Sequence, residues 1–169
     1  MKTRSAPPRT KAAHAPDKWP EWPPHGLIGG PLMSRFAVDV ELANYFDVEL
    51  ARQGKLRPEK VRRTTIRGVV DPGASKLVIP SAVADQLGLP RSDRVRVTYA
   101  DGRKGWRDTA DGAWLSLLGR HSVYIAVLEP KRDSALIGAI VLEDLDLLVD
   151  CKNQKLVPRD PRWILSEIE

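Results

Sequence analysis

The sequence predicts a mostly β domain that closes on itself, or nearly so, and carries two short helices. Two observations predict it. Short apolar runs of strand length recur along the chain, several of them alternating with polar residues. Turn signals punctuate them, among them Asp101-Gly102, Asp111-Gly112 and Gly119. With 169 residues and 42% hydrophobic content, the chain supports one domain with a modest core.

Residues 1–32 hold seven of the fourteen prolines and show no helical or strand period. Such a segment buries too little apolar surface to offset its ordering entropy, so a disordered, basic, Pro-rich extension is expected there. Met33 opens the first patterned stretch, and residues 33–169 are assigned to the domain. Phe36, Val38, Val40 and Leu42 alternate with Ala37, Asp39 and Glu41, the signature of a half-buried strand. Tyr45 to Gln53 reads either as a short helix or as an irregular strand. Val61 to Val70 reads as a long strand, with Thr64, Thr65 and Ile66 favouring β. Leu77-Val78-Ile79 is a short buried strand. A helix follows from Pro80-Ser81, with Ser81 as its expected N-cap and Gly88 and Pro90 as its stop. Arg94 to Tyr99 alternates again, Asp101-Gly102 turns the chain, and the return strand runs from Arg103 toward Thr109. A second turn is expected at Asp111-Gly112. Strands over 114–118 and 123–128 follow, then a short helix over 140–145. Finally 147–149 pairs with 155–157 around Lys152-Asn153-Gln154.

Composition narrows the function classes. No apolar run is long enough to span a bilayer, so no membrane partner is expected. The first residues lack the apolar stretch of a secretory signal. A single cysteine, Cys151, cannot form an internal disulfide, which fits a reducing, cytoplasmic setting. The three histidines are scattered with no zinc-ligand spacing, so no metal is expected. Neither a phosphate-binding glycine loop nor a serine nucleophile elbow occurs. The net charge is +5, but residues 1–32 carry five Lys/Arg against two Asp/Glu, leaving 22 against 20 for the rest. The domain itself is near balance, so nucleic acid is not an expected partner.

One stretch carries chemistry. Asp71-Pro72-Gly73-Ala74-Ser75 lies between the apolar runs 66–70 and 77–80. An ordinary surface turn also uses Asp-Pro-Gly. The flanking apolar runs instead place Asp71 at the mouth of a core. Downstream, Leu136-Ile137-Gly138 ends another apolar run. Together these motifs resemble the retroviral-like (retropepsin-like) aspartic proteases, small bacterial members of that clan especially, over Met33 to Glu169. In that family the subunit carries one Asp-Thr-Gly-Ala or Asp-Ser-Gly-Ala loop and a later apolar-apolar-Gly signature.

The resemblance implies a closed β-barrel-type acid protease half. It implies Asp71 as the catalytic carboxylate, with Pro72, Gly73, Ala74 and Ser75 supporting it. Leu136, Ile137 and Gly138 would cross beneath, and Tyr99, Ala100, Asp101, Gly102 and Arg103 would form a flap over a peptide or protein substrate. No cofactor is needed. Since the chain offers one such loop, catalysis would require a homodimer with one Asp71 from each subunit. Pro72 departs from the family, whose Thr or Ser braces the two loops through its hydroxyl and N–H. Proline has neither. The alternative reading is therefore a dimeric binding module with weak or no turnover.

Overall fold

The computed structural model describes residues 36–160 and 162, so the proposed extension over 1–32 lies outside the described residues. In chain order the elements are β1 (Ala37–Asn44), α1 (Tyr45–Arg52), a 3-10 turn (Pro58–Lys60), β2 (Arg63–Val70), β3 (Val78–Pro80), α2 (Ser81–Leu87), β4 (Arg91–Thr98), β5 (Lys104–Leu117), β6 (Arg120–Glu129), β7 (Ala135–Ile137), α3 (Ala139–Asp144), β8 (Leu147–Asp150) and β9 (Lys155–Pro158). The strands run in the order β1-β2-β7-β3-β6-β5, and β1 pairs again with β5, closing six strands into a barrel. Closure removes the open edges that a sheet of this size would otherwise expose. β4 lies outside the ring and pairs with β5, while β8 and β9 form a separate two-stranded sheet.

The alternating patterns explain the core. In β1, Val40 and Leu42 are fully buried while Asp39 is exposed. Leu115 and Leu117 of β5 and Ala126 and Leu128 of β6 join them, as do Val141 and Leu142 of α3 and Leu145 at its C-cap. Gly68 in β2 is buried because a side chain there would meet Val40 at 3.0 Å and Ile137 at 3.1 Å. That close approach brings β2 against β1 and β7 just before Asp71.

Two sequence expectations change. There are three α-helices among the described residues, not two, because 45–52 is helical. Asn44 caps α1 by accepting from the backbone N–H groups of Phe46 (2.9 Å) and Asp47 (3.2 Å). Its amide nitrogen donates to the carbonyls of Leu87 and Gly88, so this fully buried side chain is satisfied. The second change is at Asp111-Gly112. No turn forms there, since β5 runs unbroken from Lys104 to Leu117 with a bulge between Ala110 and Ala113. Gly112 takes φ 72°, which suits the left-handed residue of a bulge as well as a turn. α2 differs in detail: Pro80, not Ser81, is its N-cap, and Gly88 ends it at φ 60°.

α1 is tied to the barrel by a bidentate pair. Arg62 Nε and Nη2 donate to Asp47 at 2.7 and 2.8 Å, and the Arg62 backbone N–H adds a third bond at 3.1 Å. The Arg62 side chain holds the Asp47 carboxyl below the usual carboxylate range, against burial that would raise it. A depressed folded value means the stabilisation is present above the unfolded value and lost as pH falls through the folded one. Asp47→Asn should therefore cost about 1–2 kcal/mol at neutral pH, the Arg62 end being half exposed. The gap to the wild type should close in acid. Chemical denaturation at both pH values checks this, and a gap that persists in acid would contradict it.

Candidate active site

The site begins where β2 ends. β2 and β7 run parallel, with Val70 opposite Ile137. One residue on, the Asp71 N–H donates to the Ile137 carbonyl at 3.1 Å, so the β2–β7 pairing extends to fix this backbone position. The chain then turns tightly. The Ala74 N–H donates to the Asp71 carbonyl at 3.0 Å, and the Gly73 N–H donates to Asp71 Oδ1 at 3.0 Å. A side chain on Gly73 would sit 3.1 Å from that same Oδ1. Glycine thus leaves the carboxylate room while its N–H orients it. Asp71 is half-buried, and Pro72, Gly73 and Ser75 at the tip of the turn are exposed.

The far side of the loop is clamped by the junction of β7 and α3. Ala139 N–H donates to the Ala74 carbonyl at 2.8 Å, and Ile140 N–H donates to the Ser75 carbonyl at 3.1 Å. Gly138 lies in the gap. A Cβ there would meet the Lys76 carbonyl oxygen at 2.5 Å, and the Ala74 carbonyl oxygen and Lys76 nitrogen at 2.8 Å each. Its φ is −84°, so steric room rather than a left-handed backbone requires glycine. Asp71, Gly73, Ala74 and Ser75 are therefore brought together with Ile137 and Gly138. Leu136 is part of the same support, since it pairs with Val69 on one side and Val78 on the other.

The second predicted group forms a hairpin. Gly102 N–H donates to the Tyr99 carbonyl at 2.9 Å, Tyr99 N–H donates to the Arg103 carbonyl at 2.8 Å, and Gly102 takes φ 80°. Asp101 receives the Arg103 N–H and guanidinium, and Ala100 is exposed at the tip. β4 and the start of β5 extend beyond the closed ring, and among the described residues β4 pairs with no strand but β5. The signal that sequence reading missed is Glu129. Its carboxylate accepts from the Tyr99 hydroxyl at 2.6 Å and from Arg107 Nε at 2.8 Å. These contacts span 30 and 22 residues, so no local pattern announces them.

Among the described residues, no group of three or more His, Cys, Asp or Glu side chains could hold a metal ion. No described helix is long and apolar enough to cross a membrane. In the basic stretch from Lys60 to Arg63, Arg62 pairs with Asp47 at 2.7 Å and Arg63 with Glu41 at 3.2 Å.

A sequence profile described as aspartyl protease matches residues 58–141. That span contains the Asp71 loop, the hairpin tip and Leu136-Ile137-Gly138. Among solved structures, the chain is similar to an EIAV protease complexed with an inhibitor, at 16% identity and a TM-score of 0.46, covering 70% of this chain and 94% of that one. It is also similar to a simian foamy virus protease, at 14% identity and a TM-score of 0.41, covering 63% and 91%. No curated protein matches the sequence.

Proposed function

We propose that this chain, a member of the retropepsin-like aspartic protease family, is an aspartic endopeptidase that works as a homodimer. The observation that carries the reading is the Asp71 turn: a half-buried carboxylate, oriented by the Gly73 N–H, on a loop held from beneath by Ile137 and Gly138. One such loop is half of an acid-protease site. A two-fold axis at the exposed tip would set two Asp71 carboxylates face to face across a bound water. Two carboxylates that close cannot both ionise, so the pair shares one proton. The ionised member takes a proton from the water as its oxygen attacks the peptide carbonyl. The protonated member donates to the developing oxyanion. Collapse of the tetrahedral adduct then expels the amine, whose nitrogen takes the proton that the first carboxylate gained from the water, while a hydroxyl of the adduct returns its proton to the second carboxylate. The β4–β5 hairpin is the flap that covers the substrate.

Two exposed elements support the dimer. Pro72, Gly73 and Ser75 present the loop tip to a partner. The β8–β9 sheet pairs with no other strand among the described residues and exposes Leu148. A lone two-stranded sheet is weak by itself and gains from added strands. The exposed, unpaired Cys151 thiol suits a reducing, cytoplasmic setting. The second reading, a dimeric binding module without turnover, is favoured by Pro72, which deletes a donor and a hydroxyl at the loop tip.

Cleavage of a mixed peptide library separates the two. The endopeptidase should cleave and be blocked by a peptidomimetic aspartic-protease inhibitor. Asp71→Asn should lower its rate by about 1,000-fold or more, the scale of lost acid–base catalysis. Equal cleavage by the variant would remove Asp71 from the chemistry. A protein that dimerises without cleaving would be the binding module.

A further inference from the structure

We infer that Glu129 is a positioning residue that anchors the flap to its own barrel through Tyr99 and Arg107, setting how readily the flap moves; this rests on the endopeptidase reading. On one face of the hairpin, Arg107 stands opposite Val95 and Gly105 opposite Val97, with Tyr99 beyond them. The guanidinium carbons of Arg103 and Arg107 lie 5.3 and 5.4 Å from the Tyr99 ring centroid. Both distances are within cation–π range. The stack gathers onto one acceptor, Glu129 Oε2, which takes the Tyr99 hydroxyl at 2.6 Å and Arg107 Nε at 2.8 Å. The Glu129 side chain is only 12% exposed, so this is not a solvent-screened surface pair.

Glu129 is well placed to transmit position. It ends β6 opposite Pro80 of β3, and β7 begins at Ala135, whose strand supports the Asp71 backbone. The anchor thus ties the flap, one residue from its turn, to the frame that holds Asp71. Burial raises the Glu129 carboxyl, but Arg107 and Tyr99 outweigh it and hold it below its usual value, so at neutral pH the acceptor is a carboxylate. Among the described residues β4 pairs with no strand but β5, and the Asp101–Arg103 pair at the tip is exposed.

Hydrogen exchange of the full-length protein tests this. Tyr99→Phe keeps the ring between the arginines and removes only the hydroxyl. Glu129→Gln keeps the shape and removes the charge. Each should speed exchange of amides 97–105 by about tenfold, the scale of one charge-assisted hydrogen bond. Exchange in β1 and β6 and the melting temperature should stay as in the wild type. The double variant should exchange little faster than Glu129→Gln alone, because both act through one carboxylate. In peptide cleavage, KM should rise several-fold with kcat little changed. Wild-type exchange in both single variants would overturn the inference. So would acceleration spread over the whole barrel, which would make Glu129 a general structural residue. A wild type that cleaves no peptide would contradict the endopeptidase reading, while the exchange rates would still decide the anchor.

Discussion

Gly138→Ala should be among the most damaging single-methyl changes in the domain. The added Cβ would lie 2.5 Å from the Lys76 carbonyl oxygen and 2.8 Å from two more backbone atoms of residues 74 and 76. Backbone cannot swing away as a side-chain tip can. Either β7 and α3 retreat, or the loop does. Retreat of the loop breaks the Ala139 N–H to Ala74 and Ile140 N–H to Ser75 bonds that clamp it. Overpacking of this kind should cost about 3 kcal/mol, or roughly 10 °C in melting temperature for a domain of this size. Thermal unfolding reads the first effect. Exchange at the Ala139 and Ile140 amides reads the second, and should rise more than exchange elsewhere. Wild-type stability for Gly138→Ala would show that the clamp is looser than these distances imply.

Pro72→Thr should act in the opposite direction, on assembly. Proline at the exposed tip has no N–H and no hydroxyl. Threonine restores both, and a two-fold axis counts each new bond twice. With about 1 kcal/mol per net hydrogen bond, the four new bonds should tighten the dimer by up to roughly 1,000-fold. Cleavage at low protein concentration should rise with it. Proline limits the unfolded chain, so the monomer should lose a few tenths of a kcal/mol, up to about 1, in the exchange. Sedimentation at graded concentrations measures the dimer constant. An unchanged constant with unchanged cleavage would leave Asp71 in place and remove the brace from the account.

The barrel and the Asp71 turn were legible because their signals are local. The alternation of Val38, Val40 and Leu42 marks a strand with one wet face. Asp71 followed by Gly73 marks a turn, and the apolar runs on both sides place it at the core. α1 was not resolved from sequence for a physical reason. Phe46 and Leu50 are both exposed, so the helix shows no clean apolar stripe. It is held by polar contacts instead, through Asn44 to Leu87 and Gly88 and through Asp47 to Arg62. Asp111-Gly112 misled because a left-handed glycine serves a bulge as well as a turn. The deciding fact is distant: Ala113 to Ser116 pairs with β1 as well as β6, which keeps the strand running through. Glu129 was invisible for the same reason, its partners lying 22 and 30 residues away.

The most direct test of a shared site mixes subunits. Wild-type and Asp71→Asn chains, exchanged to equilibrium at fixed total concentration, should form dimers at random. If each active dimer needs Asp71 from both subunits, cleavage should fall as the square of the wild-type fraction, to about one quarter in an equal mixture. A fall only to one half, or to three quarters, would mean that a dimer with one Asp71 still cleaves. That result would contradict the two-carboxylate site on which the account rests.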